Sequence, residues 1–335
     1  MKKIYMYIIL FILIFFVLPT ICTTTKKTEE VQSISNQIEE NNQIEKYEYS
    51  KYKTIKLLHQ STQEVEEIGI DEYLYGVVSS EMPANFEEEA LKAQAIVART
   101  YTIYQIINNK SKHENADICD DYRCCQAWIS KEERIAKWNE NEAEANWNKI
   151  VEAVDSTSGK IIVYNGEPIN AFFHANSGGV TESSLNIWGG IDYPYLKSVE
   201  TSGEQDYTQY NSEVILSKEE LVEKLKSKYQ DINIDFSQED SIKILEYTTS
   251  GRVKTIKFGN KEIAGTEART LLGLKSTNFT AEIINDNIKF SVTGYGHGVG
   301  MSQTGADSLA KSGSNYEEII KHFYTDVEII EVNSL

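Results

Sequence analysis

Hydrophobic and polar positions divide the chain into three parts. Residues 4–22 carry no charge, and their length is about the 20 residues that a helix needs to cross a bilayer. Residues 23–48 are polar, with no aromatic side chain before Tyr47, a composition typical of a disordered tether. From residue 49 to residue 335 patterned segments return. This part is long enough for one large domain, which can divide into two lobes around a groove.

The apolar N-terminal segment, with residues 1–22 as its limits, predicts a membrane anchor. Lys2 and Lys3 precede it, so the positive-inside rule places the rest of the chain on the extracytoplasmic side. A cleaved signal peptide is the alternative, but no clear small-residue cleavage site follows the apolar run, and an uncleaved transmembrane helix is favoured. Lipid modification of Cys22 is a further alternative, which the bulky Ile21 before it disfavours.

The strongest helix signal in the domain follows Pro83. Asn85 and Glu88 have the spacing of a capping box, and the apolar residues after them recur at a period near 3.6, which predicts a long helix over residues 86–107. The apolar segment 71–80 fits either a helix or a strand.

The rest of the domain contains short strands and helices in partly segregated groups, a pattern that predicts an α+β fold rather than a doubly wound parallel sheet. Two-residue turns and capping boxes mark several of these elements. They are hairpins around Asn165-Gly166 and Ser250-Gly251, a helix capped by Ser217 and Glu220, a strand over 288–294, and helices over 301–311 and 316–323.

The net charge of −18 limits the classes of partner. An acidic protein repels nucleic acid and anionic lipid, so we expect no nucleic-acid binding. A neutral polymer, or a protein recognised by its shape, is the expected partner.

Four metal-binding side chains lie close together in the sequence: His113, Cys119, Cys124 and Cys125. Four nitrogen and sulfur donors complete the tetrahedral coordination of zinc and leave no position for water, so such a metal would be structural. A disulfide from Cys119 to Cys124 or Cys125 is the alternative in an exported protein, and free thiols are a third. We favour zinc.

Glu81 stands between an apolar approach and a Met-Pro step. The proline ends the preceding element, so Glu81 is expected at a junction, where a side chain can point into a cleft. Lys92 and Arg99 lie two turns apart on one side of the following helix. Arg99 is surrounded by apolar residues and is expected to need a buried acceptor, whereas Lys92 fits equally a surface pair with Glu88.

Two polar loops follow strand-like segments, one from residue 174 to 183 and one from 293 to 306. The second alternates glycines around a histidine, which lets the backbone approach a ligand closely. Neither loop has a nucleotide-binding pattern, and no nucleophile elbow supports a Ser-His-Asp triad. The candidate ligand-binding residues of the two loops are His174, Asn176, Ser177, His297, Ser302 and Gln303.

Several stretches together resemble the stage II sporulation protein D family, across residues 54–330. They are SEMPANFEEEALKAQAIVARTYT, the HANSGG loop, the pattern from Trp188 to Leu196, LLGLKSTNF and GYGHGVGMSQTGA. The resemblance implies a membrane-anchored lytic transglycosylase that cuts peptidoglycan glycan strands during forespore engulfment. It also implies a partner amidase that removes the stem peptides first, and a scaffolding sporulation membrane protein.

The resemblance places the catalytic glutamate at Glu81. It also reaches the predicted zinc site, where Cys124 stands in place of the second histidine of some relatives. It implies a single-pass protein in the mother-cell membrane, with its domain facing the forespore. The residues that it implies in substrate binding are Lys92, Gln94, Arg99, Asn176, Ser177, His297, Ser302 and Gln303.

A lytic transglycosylase uses one carboxyl group as acid and base, where ordinary glycoside hydrolysis uses two. The pKa of that group must lie well above the ~4.3 of free glutamate, and partial desolvation raises it. An ion pair with Arg99 would lower the pKa of Glu81. We therefore expect Arg99 to bind substrate or another carboxylate, and neutral donors such as Gln94 or Ser177 to hold Glu81.

Two other functions fit the sequence. A non-catalytic activator of a cell-wall amidase, as some relatives are described, would bind glycan in the same groove without cutting it. A muramidase with two carboxylates, Glu81 with Asp192 or Glu182, would leave a reducing end in place of an anhydro ring.

Overall fold

The computed structural model describes residues 49–108 and 112–332. Residues Tyr52–Glu331 form one compact unit of mixed helices and strands, which confirms the α+β class. The predicted anchor and tether, residues 1–48, lie outside the described residues. Within the described part of the chain, no helix combines the length and the apolar character that crossing a membrane requires.

The helices of the described residues begin and end at well-defined positions. They are α1 Ile70–Glu81, α2 Glu88–Asn108, α3 Lys131–Ile135, α4 Glu140–Asp155, α5 Ser184–Trp188, α6 Lys218–Lys226, α7 Gly265–Leu272, α8 Gln303–Lys311 and α9 Tyr316–Phe323.

The strands are short, and they form small sheets in the orders β2-β1-β3, β10-β9-β8, β11-β12-β7, β13-β6 and β14-β4-β5. Their bounds are β1 Thr54–Leu58, β2 Val65–Gly69, β3 Ile118–Cys119, β4 Lys160–Tyr164, β5 Glu167–Pro168, β6 Phe173–His174, β7 Asn211–Ser217, β8 Ile242–Tyr247, β9 Val253–Phe258, β10 Lys261–Ala264, β11 Phe279–Ile284, β12 Asn287–Thr293, β13 Met301–Ser302 and β14 Glu328–Glu331.

Helix α2 is the centre of the fold. It packs against α1, α4, α8, α9 and β4, and it buries polar side chains such as Gln94 and Arg99 together with its apolar ones. A helix enclosed on nearly all sides belongs to the core rather than to the surface. The long helix predicted over 86–107 is therefore confirmed, and the ambiguous segment 71–80 is helix α1.

A second apolar core lies between residues 214 and 292 of the same unit. Strands β7 to β12 and helices α6 and α7 enclose Leu221, Phe258 and Phe290, each fully buried. The domain thus has a second core besides the one around helix α2. The hairpin predicted at Ser250-Gly251 joins β8 to β9 within this core.

The hairpin predicted at Asn165-Gly166 is also present, with φ of 50° and 74° at the two residues, as its turn requires. Its second strand is shorter than expected, because β5 ends at Pro168. The helix expected over 301–311 begins only at Gln303, since the two residues before it form β13, which pairs in parallel with β6.

Gly76 allows the loop 126–130 to lie directly against helix α1. A Cβ atom at this position would lie 2.3 Å from Nε1 of Trp128 and 2.6 Å from the carbonyl oxygen of Ile129. The loop could not keep its place beside a larger residue.

We expect Gly76→Ala to lower the free energy of unfolding by about 1–3 kcal/mol, because overpacking against a backbone oxygen outweighs the better helix propensity of alanine. Denaturant unfolding measures the change. Gly69→Ala is the matched control, since its Cβ would meet no atom closer than 3.8 Å. Equal unfolding free energies for the two variants would contradict the expectation.

Candidate active site

Glu81 is the last residue of helix α1, and the chain turns to an extended conformation at Met82. Its neighbours Val77, Val78 and Met82 are buried, while Glu81 itself is partly exposed. Oε1 of Glu81 accepts the backbone N–H of Ala127 at 2.9 Å. The carboxyl group therefore lies at the junction that the sequence predicts, held by the loop that Gly76 admits.

Burial raises the pKa of Glu81 above its ordinary value of 4.5. Hydrogen bonds from the Ala127 amide and the Gln303 side chain act in the opposite direction without cancelling it. Both donors are neutral, as the sequence analysis expects. The second donor is Gln303 rather than the suggested Gln94 or Ser177.

Arg99 belongs to the core. Its side chain is 0% exposed; it donates to backbone oxygens between residues 154 and 160 and pairs with Asp71 at 3.1 Å. The expectation that Arg99 binds another carboxylate is confirmed, and its pairing removes the conflict with the pKa of Glu81. A side chain enclosed in this way cannot touch a glycan in this conformation.

Lys92 forms ion pairs with Glu88 at 2.7 Å and with Glu89 at 2.9 Å. The pair with Glu88 is the surface ion pair that the sequence offered as an alternative to a functional role for Lys92. Such pairs contribute little to stability, so they leave Lys92 able to exchange partners.

Gln94 is fully buried on helix α2 and accepts a hydrogen bond from Nε2 of Gln303 at 3.4 Å. Gln303 is the first residue of α8 and contacts Glu81 as well. The two amides form a chain that leads from the core to the carboxyl group. Gln94 therefore positions Gln303, and Gln303 reaches the site.

Glu204 is a fully buried carboxylate that was not predicted, because nothing in its local sequence distinguishes it from a surface glutamate. It joins the loop 174–183 to the start of helix α8. Its donors are the N–H groups of Ser177 at 3.0 Å and Gly179 at 2.9 Å, and the hydroxyls of Thr201, Thr304, Ser177 and Ser302.

Three predicted substrate-binding residues belong to this network. Asn176, Ser177 and Ser302 are each at most 1% exposed, and Asn176 donates to the hydroxyl of Thr304 at 2.8 Å. Their burial favours a positioning role over direct contact with substrate. Because Ser302 directly precedes Gln303, the network fixes the donor that reaches Glu81.

A second enclosed carboxylate, Glu182, bears on the muramidase alternative. It is 0% exposed, and its Oε1 accepts from the Ser183 amide and from the side chain of Asn186, both at 2.8 Å. Burial acts to raise the pKa of Glu182, but its hydrogen bonds outweigh burial and lower it. An enclosed carboxylate of this kind does not suit a nucleophile, which argues against a pairing of Glu81 with Glu182.

His297 lies in a group of rings at the surface. Its ring centroid is 5.3 Å from that of Trp188 and 5.6 Å from that of His174, and its Nδ1 accepts the Val299 amide at 3.1 Å. Burial lowers the pKa of His297, so its imidazole is neutral. Trp188 remains 49% exposed and offers a flat apolar face.

A cleft of about 550 Å³ opens beside the loop that follows Glu81. Pro83, Asn85 and Phe86 form one wall, and Tyr207 and Lys311 belong to the other. Its size and mixed lining suit a polar ligand with apolar faces, such as a saccharide.

The predicted metal ligands come together in space. The ligand atoms of His113, Cys119, Cys124 and Cys125 all lie within 4.8 Å of one another. Nε2 of His113 is 3.2 Å from Sγ of Cys125, and the sulfurs of Cys124 and Cys125 are 4.0 Å apart. The cysteines are free thiols, and these separations suit four ligands around one ion. The cluster could hold a metal.

The cluster lies next to the candidate active site along the chain. Gln126 follows Cys125 and donates to the hydroxyls of Tyr73 at 3.2 Å and Thr102 at 3.0 Å. Ala127, whose amide binds Glu81, comes next. A constraint on the position of Cys125 therefore also constrains the Ala127 amide, which donates to Glu81.

Comparison with protein families identifies the class. Residues 58–164, which contain Glu81, α2 and the cysteine cluster, match the family described as Stage II sporulation protein. Residues 196–300, which contain the second core, match a domain of unknown function. The first match places the segment that carries Glu81 in a family of stage II sporulation proteins.

The chain belongs to the stage II sporulation protein D family. It is 36% identical over 282 residues to Stage II sporulation protein D of Bacillus subtilis (strain 168), covering 84% of this chain and 80% of the relative. The protein of the same name from Bacillus amyloliquefaciens is 35% identical with the same coverage. Similarity also extends to a B. subtilis protein named Amidase enhancer, 29% identical over 75% of this chain and 39% of the relative.

We expect Glu204→Gln to lower the free energy of unfolding at neutral pH by about 3 kcal/mol or more. The NH₂ group of glutamine would replace an oxygen that accepts hydrogen bonds, and it would face N–H and O–H groups that are themselves donors. Burial acts to raise the pKa of Glu204, but its hydrogen bonds outweigh burial and lower it below 4.5. The contribution of the Glu204 carboxylate to stability is therefore complete at pH values above 4.5, and it is lost as the pH falls through the lowered pKa.

Urea unfolding from pH 3 to pH 8 measures the difference in unfolding free energy between the parent and Glu204→Gln. This difference should become smaller as the pH is lowered. The exposed Glu200→Gln is the matched control. A Glu204→Gln variant as stable as the control at pH 7 would show that the network does not hold the site together.

Proposed function

We propose that this protein is a lytic transglycosylase that cleaves the bond between N-acetylmuramic acid and N-acetylglucosamine in peptide-free glycan strands of peptidoglycan. The observation that carries the proposal is the partly exposed carboxyl group of Glu81, which has a raised pKa and neutral donors. Family membership supports a role in sporulation. The similarity to an amidase enhancer supports a link to the cell wall.

In the proposed reaction, protonated Glu81 gives its proton to the glycosidic oxygen, and the bond from that oxygen to C1 of the muramic residue breaks. The C6 hydroxyl oxygen of the same residue attacks C1, and its proton passes to the Glu81 carboxylate. The products are a 1,6-anhydro end and a free hydroxyl on the leaving sugar. The enzyme returns to its protonated state, with no water consumed.

The surroundings of Glu81 suit both halves of this cycle. The buried Val77, Val78 and Met82 favour the protonated form, which the first step requires. The Ala127 amide and the Gln303 side chain stabilise the carboxylate that forms between the two steps. A paired cation would hold the carboxylate permanently and prevent the first step, and Arg99 is engaged by Asp71 instead.

We propose zinc as the ion of the cysteine cluster, because three thiols and one imidazole form a closed tetrahedral set for it. Bound zinc would supply a structural cross-link. The segment 125–127 connects the proposed ligand Cys125 to Ala127, whose amide donates to Glu81, so a fixed Cys125 would also fix this donor.

The proposed setting is the mother-cell membrane, with the domain on the extracytoplasmic side facing the forespore and residues 1–22 as the anchor. The proposed partners are an amidase that first removes stem peptides and a scaffolding sporulation membrane protein. Removal of the stem peptides leaves a slim polymer that the cleft can accept.

The second candidate function is a non-catalytic activator of a cell-wall amidase. The similarity to the protein named Amidase enhancer favours it. An activator would bind glycan through Trp188 and the cleft, and it would have no need of a raised pKa at Glu81. The products formed from purified glycan distinguish the two functions.

We expect Glu81→Gln to reduce release of 1,6-anhydro products by about 10²–10⁴-fold while glycan binding changes little, because the substitution removes the proton and keeps the shape. Activity of the parent should fall as the pH rises through the raised pKa of Glu81, since the acid must be protonated. Mass spectrometry of fragments released from peptide-free sacculi measures both effects.

The control is Glu87→Gln, an exposed glutamate on the following loop. Undiminished anhydro product from Glu81→Gln would refute the assignment of Glu81. Products with reducing ends would instead indicate a muramidase.

We expect purified protein to contain about one zinc ion per chain and Cys119→Ser to lose it, because three remaining ligands bind the ion less tightly. Elemental analysis measures the metal content. The exposed His322→Gln should retain zinc. A mapped disulfide in metal-free, active protein would overturn the zinc proposal.

A further inference from the structure

A group of cations and aromatic rings lies at the surface beside His297. It consists of Trp188, Arg269, Lys275, Tyr295 and His297, and we refer to it as the cation–aromatic site. Trp188 is 49% exposed and Tyr295 is 43% exposed, while Arg269 is partly exposed and Lys275 is exposed. A ligand could therefore reach all four of these side chains from solvent.

The backbone fixes the two cations beside the glycine-rich loop. The carbonyl oxygen of Lys275 accepts the Gly296 amide at 2.9 Å, and that of Arg269 accepts the Leu274 amide at 2.9 Å. Nζ of Lys275 lies 5.0 Å from the ring centroid of Tyr295. The C-terminal end of helix α7 is thereby joined to the segment that carries His297.

The Arg269 guanidinium acts on the rings around it. Its positive charge contributes to the lowered pKa of His297, after the larger effects of burial and His174, and to that of His174, after the larger effects of burial and Arg252. The histidines therefore stay neutral, and the positive charge at the site comes from Arg269 and Lys275.

Neither cation has a protein anion as a partner among the described residues. The chain carries 51 acidic residues. Three lysines on strands β9 and β10 each form an ion pair with one of them: Lys254, Lys257 and Lys261. Two adjacent unpaired cations are unexpected on such an acidic surface. Together with an exposed tryptophan, they match a sugar that carries a negative charge.

We propose that the cation–aromatic site binds the lactyl carboxylate of a muramic acid residue whose stem peptide has been removed. This inference rests on the proposed function. In a peptide-bearing strand the same carboxyl group is an amide and has no charge, so the site selects strands on which an amidase has already acted. Trp188 supports the sugar ring, and Arg269 and Lys275 bind the carboxylate.

The cation–aromatic site lies close enough to Glu81 for one glycan strand to contact both. The segment 297–303 leads from the ring of His297 to the side-chain amide of Gln303, which contacts Glu81, and a chain of this length spans at most about 25 Å. A short glycan can therefore occupy the cation–aromatic site and Glu81 together. The selected muramic residue would then be a neighbour of the one that is cleaved.

The test compares two forms of one glycan preparation: peptide-free strands with free lactyl carboxylates, and the same strands converted to methylamides. Binding to the full-length Glu81→Gln chain in detergent is measured by calorimetry at low ionic strength. We expect about tenfold tighter binding of the carboxylate form, with the preference weakened by added salt. Equal affinity for the two forms, or no binding of either, contradicts the proposal.

Arg269→Gln and Lys275→Gln should each lose most of this preference by weakening only the carboxylate form, and Arg269→Lys should retain part of it. Lys254→Gln, which makes the same change of charge on strand β9 of the second core, should retain it fully. Lys275 is exposed, so its variant tests the site even if substitution of Arg269 disturbs folding.

A preference that survives in Lys275→Gln and Arg269→Gln assigns the carboxylate to another site and overturns the proposal. Failure of the proposed function shows separately, as the absence of anhydro product from the unmodified chain.

Discussion

The hydrogen bond from the Ala127 amide to Glu81 is the contact on which the site depends, because it joins two segments that lie 46 residues apart in the sequence. One is helix α1, whose last turn buries the neighbours of Glu81. The other is the loop after the cysteine cluster, which reaches the helix only because Gly76 leaves space for Trp128. An amide donor stabilises a carboxylate without the permanent charge of a cation, so the pKa of Glu81 stays raised.

Enclosed polar groups hold the remaining parts of the site in place. Glu204 joins two loops to the start of helix α8, and Arg252, 1% exposed, donates to the backbone oxygens of Ser177 and Val180 and to the hydroxyl of Ser276. Arg252 thereby connects the second core to the same loop. Because a buried polar group without a partner is costly, these networks favour one arrangement of the site over its alternatives.

The elements of the fold were largely predictable from local patterns, as the capping boxes and the Asn165-Gly166 turn show. The position of Glu81 was predictable for the same reason, since Pro83 and the apolar approach are both local. The role of Ser177 was not, because its burial depends on contacts with distant segments, whereas the apolar residues around Arg99 did predict that it needs a buried acceptor. Glu204 and Asp71 gave no local signal at all, because Ser177, which donates to Glu204, and Arg99, which pairs with Asp71, each lie more than twenty residues away in the sequence.

The proposed reaction requires that enclosure keep the Glu81 carboxyl group protonated at a pH where exposed glutamates are ionised. The most direct measurement is an NMR titration of glutamate side-chain carboxyl carbons, with the Glu81 signal assigned by its absence in Glu81→Gln. Because burial raises the pKa of Glu81, we expect a midpoint clearly above 4.5. A midpoint at or below that value would contradict it, because the group could not then act as the acid.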